Sequence, residues 1–278
     1  MVGAAASLVV MAVLIRFLSP PYSVLELIFL RNVVNLLLMV PWIARRGVAA
    51  AKTRRLVLHG IRNAFQYGGN VAWFYAVTLI ALADLSALQF TMPLFTVVMA
   101  ALFLGERIGS HRWLATAIGF AGALIILQPG FAEIGPGAVL ALAAAFLYSA
   151  SFTVTKRLSA TESGNVVVFY MSVFIVVFSA IPAAFVWRTP ELADWPAIVG
   201  LGVTGYTTHY CVTRSMAAAD ASYVVPFDFL RLPFSAVLGA ALFAETSQIW
   251  TWLGAIVIFG AAYYNTWQER RAGRRALR

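Results

Sequence analysis

Ten apolar stretches follow one another along the chain, at 2–18, 24–43, 56–80, 84–104, 113–128, 137–155, 165–187, 197–213, 221–244 and 249–267. Each is close to the roughly 17–25 residues that an α-helix needs to cross a hydrocarbon core about 30 Å thick. Lipid supplies no partner for backbone N–H and C=O groups, so a single-chain segment in it must be helical. The spacing predicts an all-α integral membrane protein of ten transmembrane helices. Breakers mark several of the short connections: Ser19-Pro20-Pro21, Gln128-Pro129-Gly130, Gly135-Pro136-Gly137 and Trp195-Pro196. Composition removes the alternative of a water-soluble fold, because only 11% of the residues are charged against about 25% in soluble domains. The opening run, Val2 to Leu18, lacks a basic leader and a small-residue cleavage site, so it reads as the first span and not as a secretory signal.

The net charge of +9 invites a nucleic-acid reading, but the basic residues stand in short clusters between apolar runs and not on an aromatic-studded face. They report topology. Ten spans put both termini on one side, and the segments of that side hold Arg45, Arg46, Lys52, Arg54, Arg55, Arg107, Arg112, Lys156, Arg157, Arg214, Arg270, Arg271, Arg274, Arg275 and Arg278. The opposite loops hold only Arg16 and Arg188, and Arg31, Arg62 and Arg231 fall inside helices. Lys and Arg are retained on the cytoplasmic side during insertion. The expectation is a multi-pass protein of the cell inner membrane with both termini cytoplasmic.

The second half resembles the first. Arg16-Phe17-Leu18-Ser19 lines up with Lys156-Arg157-Leu158-Ser159, and Phe29 with Phe169. Farther along, Ala101-Leu102-Phe103-Leu104-Gly105-Glu106 resembles Ala241-Leu242-Phe243-Ala244-Glu245, Trp113-Leu114 falls on Trp252-Leu253, and Tyr75, Val77 and Thr78 match Tyr210, Val212 and Thr213. The expected division is a first repeat at 1–130, a second at 135–268 and a basic cytoplasmic tail at 269–278. Five helices per repeat is an odd number, so the halves must be inverted relative to each other in the membrane. Two inverted halves around a central cavity can exchange conformations, which is the basis of alternating access.

These features resemble the drug/metabolite transporter superfamily, and within it the ten-helix EamA-type members. The resemblance spans nearly the whole chain. Each repeat has a Pro in its fourth helix followed by an apolar run to a Glu, Pro93 to Glu106 and Pro233 to Glu245, and then a Trp at the start of the fifth helix, Trp113 and Trp252. Ala244-Glu245 departs from the pattern, lacking the Gly of Gly105-Glu106. The resemblance implies a secondary transporter of a small molecule, with no cofactor, but leaves the substrate open among amino acids, nucleotide-linked compounds, vitamins and drugs.

Charged groups within a bilayer are costly and mark cavities or pathways. Arg31, Arg62, Asp228 and Arg231 are therefore candidates. Asp228 and Arg231 stand three apart on one helical face, bracketed by Pro226 and Pro233. Each Pro removes a backbone donor and can open the helix. Pro93, Pro226 and Pro233 are thus candidate helix breaks for gating. Arg62, Gln66, Asn70 and Trp73 recur at helical spacing as a polar-aromatic stripe expected to face the cavity. Two plainer readings stand beside it: Arg62 snorkelling to the interface, and interhelical hydrogen bonding by the amides. Tyr148, Tyr206 and Tyr210 would wall the pocket, whereas His59 and His209 read as bland. Gly68, Gly69, Gly119 and Gly122 read as sites of close helix approach. Glu26 is placed near the outer interface, where it would stay hydrated, so the centre is expected to be net positive.

An anionic group on the substrate would be held by Arg31 or Arg231, with Asp228 binding an amino group or carrying a coupling proton. An amino acid or amino-acid-like compound is the leading expectation. The alternative is a nucleoside-containing compound such as S-adenosylmethionine, or a channel or non-transporting scaffold. No phosphate-binding Gly-x-x-x-x-Gly-Lys loop, Gly-x-Ser-x-Gly or His-Glu-x-x-His is present, which argues against an ATP-driven pump, an intramembrane enzyme or a metal site. The single cysteine, Cys211, can form no internal disulfide.

Overall fold

A computed structural model describes residues 1–19, 21–46, 52–104, 109–128, 134–218 and 225–276. Among the described residues the regular structure is entirely helical. The helices are α1 (Val2–Leu18), α2 (Val24–Arg46), α3 (Leu56–Leu79), α4 (Leu82–Gln89), α5 (Met92–Leu104), α6 (Ser110–Leu127), α7 (Pro136–Leu158), α8 (Gly164–Phe185), α9 (Trp195–Ala218), α10 (Arg231–Phe243) and α11 (Ile249–Ala276). Short 3₁₀ segments cover Leu192–Asp194 and Val225–Leu230. Val24–Pro41, Leu82–Phe103, Pro136–Leu158 and Val166–Phe185 are long and apolar enough to cross a membrane, and Val2–Leu18, Trp113–Leu127 and Ile249–Tyr264 are shorter apolar helices. Pro20, Glu106, Arg107, Pro129, Gly130 and Arg278 lie outside the described residues. The basic segment after residue 268 continues α11 as far as Ala276.

Two of the ten spans are not the continuous helices the sequence suggests. The stretch expected as one helix over 84–104 breaks between Gln89 and Met92, where Phe90 N bonds Ala87 O and Thr91 N bonds Leu88 O, each at 3.1 Å. These bonds tighten the last turn, and Pro93, which has no N–H to lose, fits the first turn of the next helix. The stretch expected over 221–244 is a 3₁₀ segment from Val225, containing Pro226, and becomes α-helical only at Arg231, two residues before Pro233. The breaks fall at corresponding places in the two repeats. Polar side chains hold the first break in place: Thr91 Oγ1 donates to the freed Leu88 O at 2.6 Å, while Ser149 Oγ of α7 donates to Met92 O and Gln89 Nε2 to Ala141 O of α7, each at 2.7 Å.

The packing has the pattern an inverted duplication requires. In repeat order, α3 packs on α7 as α9 packs on α1, and α2 meets α9 as α8 meets α3. The pairs α2 with α8 and α6 with α11 each pair with themselves under the exchange, and α4 packs on α10, the broken fourth span of one repeat on that of the other. The chain is thus two inverted five-helix repeats whose interface lies along the middle of the bundle. The four glycines sit where helices approach: Gly68 and Gly69 face Leu147 and Tyr148, Gly119 faces Leu94, and Gly122 faces Gly254 and Ile258.

Candidate functional site

The polar stripe of α3 is buried and turned toward α7. Arg62 Nε donates to Thr155 Oγ1 at 3.1 Å and its Nη1 to Asn63 Oδ1 at 2.7 Å. Ser151 Oγ donates to Gln66 Oε1 at 3.1 Å, and Tyr148 OH donates to Asn70 Oδ1 at 3.0 Å. In this conformation the stripe is therefore an interhelical hydrogen-bond ladder, the plainer of the two readings for its amides. In this conformation Arg62 donates to Thr155 and Asn63 inside the bundle. Replacing Tyr148 by Phe should remove one rung and cost only about 0.6 kcal/mol, a small fall in melting temperature measurable on purified protein in detergent.

Arg31 is different. It is only 4% exposed, its guanidinium carbon lies 5.5 Å from the centre of the Phe74 ring, and its Nε has no hydrogen-bond partner among the described residues. Asn35 Oδ1, Asn32 Oδ1 and Asn70 Nδ2 are also buried without partners. Close by, Asn35 and Met39 of α2, Val168 and Met171 of α8, and Tyr206, His209 and Tyr210 of α9 line a pocket of about 90 Å³. The rings of Tyr206 and Tyr210 stack with centroids 6.3 Å apart.

The second cluster surrounds the broken span of the second repeat. Arg231 lies 3.8 Å from the Asp228 carboxylate and 4.8 Å from the centre of the Phe90 ring, so the expected pair forms. Asp228 also stands just before α10, where a carboxylate meets the favourable end of the helix dipole. Trp73 joins this group, lining a void of about 10 Å³ with Gln89, Arg231 and Ser235. In this conformation two voids lie near the centre among the described residues, one at each cluster. Glu26, expected to stay hydrated, is instead completely buried (0% exposed). The segment after α8 folds over it, and its Oε2 accepts from Arg188 N at 3.3 Å.

The sequence missed one site. Arg16, counted there as a loop charge, reaches Glu245, Val77 O and Ile80 O. The one signal was Glu245 itself, which ends the Pro-to-Glu run of the second repeat. Nearby, Tyr22 OH donates to Asp194 Oδ2 at 2.6 Å and accepts from Glu191 N at 3.0 Å. The bond to Asp194 raises the Tyr22 phenol above its ordinary value, so this tie keeps its proton at neutral pH.

The pattern of the EamA-like transporter family matches residues 1–128 and again residues 135–267. The chain belongs to that family. It is a multi-pass membrane protein and a secondary transporter of a small molecule, not an enzyme. A riboflavin transporter of Rhizobium johnstonii is 35% identical over 242 residues, covering 86% of this chain and 80% of its own length. One of Brucella anthropi is 33% identical, covering 89% of each. An S-adenosylmethionine uptake transporter of Rickettsia bellii is 26% identical, covering 94% of this chain and 89% of its own. A crystal structure 21% identical in sequence matches with a TM-score of 0.64 over 98% of this chain and 97% of that one, which shows the fold.

Proposed function

We propose that this carrier moves riboflavin or a closely related planar heterocycle across the inner membrane, with both termini cytoplasmic. The observation that carries the substrate class is Arg31. A buried guanidinium with an unbonded donor, beside Phe74 and near a Tyr-lined pocket, suits a flat ring whose edge offers several adjacent acceptors, because the fork of Arg donors matches such an edge. The identities to riboflavin transporters support the same class. Asp228 is already engaged with Arg231, so the arrangement lends less support to an amino acid needing a carboxylate for its ammonium group. S-adenosylmethionine is the second reading, and what favours it is the 26% identity to an S-adenosylmethionine uptake transporter over 94% of this chain.

Counterflow in proteoliposomes tests this. Internal riboflavin should accelerate the entry of labelled riboflavin, saturably, and riboflavin at about 100 times its Kd should stabilise the purified protein by about 2.7 kcal/mol. No counterflow and no stabilisation with riboflavin overturns the substrate assignment, and the same assay with S-adenosylmethionine decides the second reading. An imposed pH gradient in these vesicles shows whether protons are coupled.

A further inference from the structure

At one end of the bundle, read as external from the loop charges, four helix ends are fastened by one ion pair. Arg16, near the end of α1, donates through Nε to Val77 O at 2.6 Å and through Nη2 to Ile80 O. These carbonyls belong to the end of α3, where helix carbonyls lack intrahelical partners. Arg16 Nη1 pairs with Glu245 Oε1, and Glu245 Oε2 accepts from Leu82 N, in the first turn of α4, at 2.9 Å. Arg16 thus sits at the C-terminal ends of α1 and α3, and the Glu245 carboxylate at the N-terminal end of α4, ends whose dipoles favour these charges. Arg16, Val77 and Leu82 belong to the first repeat and Glu245 to the second, so this pair ties the halves together.

Its position points to more than a tie. On one side lies an open groove of about 700 Å³ lined by Arg16, Ser19, Thr78, Phe243, Glu245 and Thr246, among others. On the other, the hydroxyls of Ser86 and Ser235 meet at 2.7 Å, and both line the small void beside Trp73 and Arg231. The pair keeps 13% and 14% side-chain exposure, so water reaches it and can take over its hydrogen bonds when it parts. Glu245 is presented by Ala244, whose φ of 53° and ψ of 32° are left-handed. That conformation is unfavourable for a residue with a Cβ, and the corresponding residue of the first repeat is Gly105. The left-handed turn is the C-cap of α10, closed by Glu245 N donating to Gly239 O at 3.1 Å, so it fixes where the Glu245 carboxylate is presented.

We propose that Arg16 and Glu245 form a latch that closes this end of the substrate path, holding the repeats together in the state seen here and parting when the carrier opens to this side. They are positioning residues and do not hold the substrate, so the inference stands independently of the riboflavin assignment. The assay reads accessibility and needs no ligand. In a Cys211→Ser background, which removes the sole cysteine, Ser86→Cys reports from behind the latch to a membrane-impermeant maleimide. The reagent is added to intact cells and, separately, to inverted vesicles.

Adding Glu245→Gln should make labelling from the Arg16 face roughly tenfold faster, the shift expected when one state loses its differential contacts, and labelling from the other face slower. Gly239→Ala should act in the same direction without removing a charge, because its Cβ would press on the Glu245 carboxylate. Unchanged labelling in both variants overturns the proposal. So does faster labelling from both faces, which means general loosening, or loss of folded protein in both variants, which means the pair is only structural.

Discussion

Replacing Arg31 by Met should give a protein that is more heat-stable than the parent and unable to transport. The two effects are linked by one physical fact. A guanidinium held at 4% exposure has lost its water, and among the described residues its Nε has no hydrogen-bond partner, so the protein makes up the loss only in part. Replacing a buried ion pair by apolar side chains of similar volume is often neutral or stabilising by about 1–4 kcal/mol; among the described residues the Arg31 guanidinium lacks even a pair's attraction, and Met keeps the packing on Phe74. If Arg31 meets the substrate, the Nε donor left idle in the empty carrier is used when it is loaded. Truncating such a buried contact costs about 2–5 kcal/mol, which corresponds to a fall of about thirtyfold or more in riboflavin binding and in counterflow. Arg31→Lys should recover little, since an ammonium lacks the planar fork. Thermal melts of ligand-free protein, set beside counterflow, measure both. A variant that melts earlier yet transports normally would make Arg31 a structural residue.

What the chain's order of residues discloses depends on how far apart the interacting groups lie. The ten spans are legible because lipid turns hydrophobic length into a direct readout of helix position. The Asp228 and Arg231 pair is legible because three residues of separation put both on one helical face. The breaks are half legible: Pro93 and Pro233 mark the neighbourhood, but the break after Gln89 is fixed by what lies opposite, Ser149 for Met92 O and α7 backbone for Gln89. The fate of Arg62 turned on whether α7 offered an acceptor at the matching height, which helical spacing in α3 does not tell. Arg16 and Glu245 are separated by 229 residues, and only the three-dimensional register of α1, α3, α4 and α10 brings them together. Arg31 was legible as a charge in the wrong solvent, but that its Nε finds no hydrogen-bond partner among the described residues is a property of the assembled bundle.

The largest loss of folded protein should come from Gly122→Leu or Gly254→Leu. These residues meet where α6 crosses α11, and a Cβ added to Gly122 would lie 2.8 Å from Gly254 O and 3.1 Å from Ile258 N. Both obstacles are backbone, so no side-chain rotation relieves them, and the helices must separate along their length. Helices in lipid gain nothing from the hydrophobic effect by associating, and they depend on close van der Waals contact that small residues permit. Overpacking in a fixed core costs about 1–3 kcal/mol and occasionally more; against backbone the upper part of that range is expected, a large share of the roughly 5–15 kcal/mol that holds a typical domain folded. The crossing is its own partner under the exchange of repeats, so one substitution disturbs the axis about which both halves are arranged. Size-exclusion profiles and melting of detergent-purified variants report the outcome. Gly260→Ala, also on α11, is the matched control: a Cβ there meets nothing within 4 Å, and that variant should fold as well as the parent. Normal yield and melting for both Leu variants would mean that the α6 and α11 contact does not hold the repeats together.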